Sequence, residues 1–234
     1  MKTIRRLLLS LLVLGLSLLD LHAAGKTLLY VSQHKPTPDV IAADQKAQQR
    51  LAELGFTVTF ADQYDSPATA EGKDLVVLSA GASAHRLEGK YRKVAVPVVV
   101  FESYALPHMA MTSRRQDVDF GTKDGKIRYL WLVNAPHPLS AGLAAGMVNV
   151  VQKGCPINWG RPGPGAIVIA TFPDELDKAQ IFAYEKGATM EGENLAPARR
   201  VMLFLDGATF PNLNANGLRL FDAAVLWAAG VERK

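Results

Sequence analysis

The sequence predicts an α/β domain of the doubly wound, flavodoxin-like kind, with a mainly parallel sheet and an antiparallel extension in its C-terminal half. Three observations carry this. Four short runs in the first half, residues 27–31, 56–60, 74–79 and 96–101, are nearly continuous in Val, Leu and Phe. Strands covered on both faces read this way, whereas half-exposed strands alternate. A segment with helical periodicity separates the first two runs. After Glu102, strand-like runs follow one another with no long helix between them, as antiparallel pairing allows.

The elements follow in order. Residues 27–31 form a first strand that ends in polar Ser32-Gln33-His34. Thr37-Pro38-Asp39 then has the chemistry of a helix start: an N-cap hydroxyl, a proline at the first helical position and an acid in the first turn. Val40, Ala43, Ala47, Leu51 and Leu54 share one helical face, and Gly55 stops the helix. Residues 56–60, 74–79 and 96–101 supply strands two to four. Residues 121–125 read as a turn and 127–133 as another strand. Residues 147–151, 167–170, 180–184 and 201–205 complete the strand set. From Asn216 onward, Leu218, Phe221, Ala224, Val225 and Ala228 fall on one face of a closing helix.

Residues 1–24 read as a signal peptide. Lys2, Arg5 and Arg6 are its basic n-region, and residues 7–19 are an apolar stretch too short to span a bilayer. Alanines at 23 and 24 suit cleavage. The expectation is an exported, periplasmic or extracellular chain without stable membrane insertion, folding as one domain over residues 25–234. Without the leader's charged residues the formal balance falls from +4 to +2, so the charge gives no reason to expect nucleic acid as a partner. One cysteine excludes an intramolecular disulfide.

Ligands of open α/β sheets sit beyond the carboxyl ends of the strands. Four segments are expected there: Ser32-Gln33-His34, the loop from Ser79 through Gly81 to Ser83, Glu102-Ser103-Tyr104, and Ala135-Pro136-His137. Glu102 is the most unusual of these residues. A carboxylate directly after an apolar strand must be paired, hydrogen-bonded or shifted in pKa. It reads either as an acid/base or hydroxyl acceptor for a ligand, or as a structural cap on its own loop. Ser79 and Ser103 lack a nucleophile elbow. The histidines lack metal-ligand spacing, so neither a metal nor a cofactor is expected. Cys155, in Gly154-Cys155-Pro156, reads as an idle loop thiol. Trp159 is a candidate for stacking on a sugar, while Trp131 and Trp227 read as core. Arg199-Arg200 reads as a solvated basic pair.

Several stretches together resemble the class I glutamine amidotransferase-like superfamily near its trehalose-utilisation (ThuA-like) branch, and more closely a domain of exported bacterial proteins. They are Gly55-Phe56-Thr57-Val58, Asp74-Leu75-Val76-Val77-Leu78-Ser79, Val96-Pro97-Val98 through Glu102 to Met109-Ala110-Met111-Thr112, His137-Pro138-Leu139 with Ala141-Gly142-Leu143, Tyr184-Glu185-Lys186-Gly187-Ala188-Thr189-Met190, Ala196-Pro197-Ala198-Arg199-Arg200, and residues 220–228. The resemblance implies that an amidotransferase would carry its cysteine nucleophile after the fourth strand. Glu102-Ser103 stands there instead. It also makes His137 a site candidate. Two functions follow as expectations. One is a binding or interaction module for carbohydrate or another exported protein, with Ser32, His34, Ser79, Gly81, Ser103, Tyr104 and Trp159 as candidate contacts. The other is a hydrolase or lyase on a sugar derivative, with Glu102 as acid/base and His137 as its partner.

Overall fold

The first strand, β1 (Thr27–Ser32), is buried along nearly its whole length, and burial on both faces is what its apolar run demands. The computed structural model describes residues 23–33, 37–207 and 209–231. His34 and all but the last two residues of the expected signal peptide lie outside these. Helix α1 (Pro38–Glu53) begins with proline in its first turn and Asp39 beside it, although Thr37 makes no side-chain cap bond. It buries Ala43, Asp44, Ala47 and Leu51 against the sheet, and Gly55 ends the turn at φ +94°. Strands β2 (Thr57–Asp62), β3 (Leu75–Leu78) and β4 (Val98–Val100) follow, with the short helix α2 (Ala84–Leu87) between the last two.

Beyond β4 come β5 (Phe120–Ile127), β6 (Tyr129–Leu132), β7 (Gly146–Asn149), β8 (Cys155–Gly160), β9 (Ile167–Thr171), β10 (Ala179–Tyr184) and β11 (Arg200–Leu203), then helix α3 (Ala215–Ala228). The sheet order is β2-β1-β3-β4-β11-β10-β9-β6-β7. The five strands from β2 to β11 are parallel, in the flavodoxin-like order. The next four continue it antiparallel. The expected α/β architecture with an antiparallel extension is the one observed.

Two strands depart from the sequence reading. Residues 121–125 belong to β5 rather than to a turn, and Cys155 opens β8 rather than lying in a loop. These two strands pair with each other at the margin of the sheet, and β8 touches β10 only at Gly160. Marginal strands bury less, so their sequences tolerate glycine, proline and charge.

Apolar layers cover both faces. Helices α1 and α3 lie over the face that presents Leu28, Tyr30, Val77, Val99 and Val201. Leu87, Tyr91, Leu106, Met109 and Met111 cover the face of Leu29, Val31, Val76, Val98 and Val100.

Candidate functional site

The carboxyl ends of β1, β3, β4 and β11 meet at one edge of the sheet. The loop after β11, residues 204–207, takes the place expected for Ala135-Pro136-His137. The reason is topological: β6 runs antiparallel on the far side of the extension, so its end points to the opposite edge.

A carboxylate that the sequence reading missed organises this edge. Asp44 is 8% exposed and receives three hydroxyl hydrogen bonds. Tyr30 and Ser79 donate to Oδ1 at 2.7 and 2.5 Å, and Ser32 donates to Oδ2 at 2.5 Å. Hydrogen bonds to an ionised acceptor are among the stronger ones, and these three tie α1 to the ends of β1 and β3. Burial, and next the negative field of Asp44, push the Tyr30 hydroxyl well above the usual phenol range. The signal was present in the sequence: Asp44 lies four residues after Val40 and three before Ala47, on the apolar face itself.

Ser79 also accepts the Gly81 N–H at 2.9 Å, and the Gly81 carbonyl accepts from Gln33 at 2.6 Å. A Cβ at Gly81 would sit 2.4 Å from Val40 Cγ1. Only glycine lets the loop close against α1. Ser32 and Ser79 are therefore both engaged by Asp44, and no described imidazole bonds either.

Glu102 caps its own turn. One carboxylate oxygen accepts the Tyr104 N–H at 2.9 Å, and no other described group bonds it. Burial, then the neighbouring charge of Asp206, push its pKa up to about 7 despite that cap. Asp206, on the loop after β11, is itself raised by burial, with Asp124 adding to the effect. Tyr104 is exposed, packs edge-on against Phe120 at 5.5 Å, and feels Asp117, Glu102, Asp124 and Asp206 together. No described Lys or Arg pairs with Glu102, Asp124 or Asp206. Beside them a shallow cavity of about 10 Å³ is lined by Tyr30, Asp44, Ser79, Phe101, Asp206 and Phe210, among others.

Ser103 is fully buried and donates to Asn158 Oδ1 at 3.2 Å. Asn158 in turn donates to the carbonyls of Phe101 and Leu205, both at 2.8 Å, and accepts from Thr122 at 2.5 Å. It staples the ends of β4 and β11 together, and it too went unnoticed in the sequence. The position after β4 thus holds a capping carboxylate and a locked hydroxyl. Cys155 is half-buried, its thiol pushed up by burial, with Thr209 Oγ1 at 4.0 Å and no described base bonded to it.

The other candidates fall elsewhere. His137 lies at the opposite edge. Its Nδ1 accepts the Leu139 N–H at 3.2 Å, and its ring meets Trp227 edge-on at 5.4 Å. It shares no contact with Glu102, so the expected acid/base pair does not form. Trp159 is 3% exposed beneath Lys178, 4.5 Å from its ring centroid, which closes it to a sugar. Trp131 is 36% exposed rather than core, because the sheet face it occupies has no covering layer. Arg199 and Arg200 are not a solvated pair. Arg199 bonds Glu185 and stacks on Trp227 at 4.3 Å, and Arg200 is completely buried. Among the described residues no His/Cys/Asp/Glu group has metal-site geometry, and no helix is long and apolar enough to cross a membrane.

No protein-family model and no curated protein matches the sequence. Solved structures do match. A ThuA-like protein of Parabacteroides merdae superposes with a TM-score of 0.53 at 18% identity, over 89% of this chain and 92% of its own. A second ThuA-like protein, from Bacteroides uniformis, gives 0.52 at 13% identity over 87% and 90%. A candidate GMP synthase protein of Thermoplasma acidophilum gives 0.52 at 12% identity over 88% and 95%. At such identities the likeness is one of fold alone, an α/β fold shared with these two ThuA-like structures and the GMP synthase one.

Proposed function

We propose that this is an exported amidotransferase-like domain that binds a small carbohydrate at the carboxyl edge of its parallel strands and carries out no amidotransfer. The single observation behind this reading is the set Glu102, Asp206 and Asp124: burial and then Asp206 raise the proton affinity of Glu102, burial and then Asp124 raise that of Asp206, and no described cation pairs with the three. Carboxylates are acceptors that take two hydroxyls readily, and Tyr104 adds an exposed ring. The enclosed cavity there is only about 10 Å³, room for roughly one water, so a sugar would lie on the open edge with its hydroxyls toward the carboxylates. Export is supported by the basic n-region and short apolar run of residues 1–19.

Titration calorimetry against mono- and disaccharides tests the reading. Binding should weaken by about tenfold in Asp206→Asn, the loss of one charge-assisted hydrogen bond. No heat with any sugar would remove the proposal. A second reading has one observation in its favour: a carboxyl with its pKa near 7 is poised for proton transfer at neutral pH. A glycosidase or lyase activity lost in Glu102→Gln, with a rate profile breaking near pH 7, would put it first.

A further inference from the structure

The side chain of Asn158 is 1% exposed and uses its whole bonding capacity, two N–H donors and two acceptor sites on the oxygen. The amide nitrogen donates to the carbonyls of Phe101 and Leu205. These are the residues immediately before Glu102 and Asp206. The amide oxygen accepts from Ser103, immediately after Glu102, and from Thr122, two residues before Asp124. A single side chain thus holds the backbone beside two of the three acids and close to the third.

The strand ladder does not reach this far. β4 and β11 are paired only up to Val100 and Met202, two residues short of Glu102 and four short of Asp206. Beyond that pair the amide takes over, and Asn158 is itself anchored there by its N–H on the Phe204 carbonyl at 3.0 Å. The residue type matters. A carboxylate has no donor for the two carbonyls, and an aliphatic side chain would leave four buried groups without a partner, the costly case.

We propose that Asn158 is the positioning residue of the acid edge: its amide fixes the spacing of Glu102 and Asp206, so that both carboxylates meet a ligand already in place. The proposal rests on the reading of that edge as a ligand site.

Carboxyl-carbon NMR titration of Glu102 and Asp206 tests it without any sugar. Burial is the main reason both acids are raised, and Asp206 adds to Glu102. Freeing the two chain ends admits water and moves the acids apart, and each change lowers the pKa. In Asn158→Ala the Glu102 midpoint should fall from about 7 by about one pH unit or more, and Asp206 should fall with it. Asn158→Ser keeps one donor, and should shift both the same way by less. It carries the test if circular dichroism shows the alanine variant unfolded. Val148→Ala, on β7 at the far margin of the sheet, weakens the core elsewhere and should leave both midpoints in place. Unchanged midpoints in a folded Asn158 variant would overturn the proposal. Equal shifts in Val148→Ala would too, because they would mean general loosening. A sugar that binds wild type should bind Asn158→Ala about tenfold more weakly, and equal affinity would count against positioning with the same force. If no sugar binds, the reading of the edge falls, and the titrations still decide whether Asn158 sets its geometry.

Discussion

The two ends of the parallel strands handle charge in opposite ways. At the amino end the arginines are held by acceptors, although the buried Arg200 Nε has no described partner. Arg200, fully buried, donates to the carbonyls of Arg92, Val94, Val96, Ala198 and Arg199. Arg199 bonds Glu185 and the Trp227 carbonyl, and stacks on the Trp227 ring. At the carboxyl end, burial raises Glu102 and Asp206, Asp206 adds to the first and Asp124 to the second, and no described cation pairs with them. Compensated charge at one end makes a foundation. Uncompensated charge at the other is tolerated where a ligand completes it, which is why functional sites tend to be less stable than the scaffold that carries them.

The largest expected effect breaks the foundation. Burial lowers the Arg200 pKa to about 10, which leaves the guanidinium charged at neutral pH. Arg200→Met keeps much of the volume and strips five carbonyls of a donor. Leaving buried polar groups without partners is the costly case, so the loss should reach about 3–5 kcal/mol in urea unfolding. A loss under about 1 kcal/mol would mean that water reaches these carbonyls, and the contrast between the two ends would fail.

Next in size is Glu102→Gln, where the sign depends on pH. The folded pKa of Glu102 is raised to about 7 from an ordinary value of 4.5. Its contribution is therefore fully present below about pH 4.5 and is lost as pH rises through 7. Glutamine removes that loss and still accepts the Tyr104 N–H. The variant should match wild type at about pH 4.5 and exceed it by about 1–3 kcal/mol at about pH 8. Thermal melts at both values decide. Destabilisation at the higher pH would show that the capping bond outweighs desolvation. Asp206→Asn should soften the same pH dependence by removing the repulsion.

These two residues also show what was legible in the sequence. The strand–helix alternation was, because Val and Leu runs buried on both faces leave few alternatives, and the position of Glu102 at the end of β4 followed directly. Arg200 was misread because a charge at the head of a strand normally faces water. Nothing local announces that the carbonyls of residues 92–96 will enclose it. Asp44 was readable from periodicity alone, yet its three hydroxyl partners come from two strands that only the fold brings together. His137 followed β6 to the wrong edge, since strand direction in the extension depends on pairings that apolar runs do not encode.

His137 gives a smaller test at the amino end. Burial is the main reason its pKa lies below the usual 6.5, with Arg199 adding to the lowering and Glu185 opposing it. The neutral ring is the one that accepts the Leu139 N–H, because a protonated Nδ1 has no lone pair to offer. Its contribution is present above about pH 6.5 and fades as pH falls below that value. Wild type should lose up to about 1.4 kcal/mol between about pH 7.5 and 5.5 relative to His137→Asn, whose amide oxygen caps at either pH. Parallel pH dependences for the two proteins would show that this histidine contributes nothing to the foundation.

The smallest effect lies where the body of the fold meets the proposed leader. Ala23 is 1% exposed, donates its N–H to the Leu54 carbonyl at 2.7 Å and accepts from Lys26 at 2.9 Å. It is a core residue in the body of the fold. Export with cleavage beside Ala23 or Ala24 would thus trim the packed structure. A chain beginning at Gly25 loses two terminal backbone hydrogen bonds and a buried methyl group, and should be less stable than one beginning at Leu21 by about 1 kcal/mol. Unfolding of the two chains measures the difference, and equal midpoints would show that Ala23 adds nothing. Mass spectrometry of protein from its native cell should find the mature terminus at Ala24 or Gly25. An intact Met1 in a membrane fraction would reject export, and would leave the Ala23 contacts whole in the working protein.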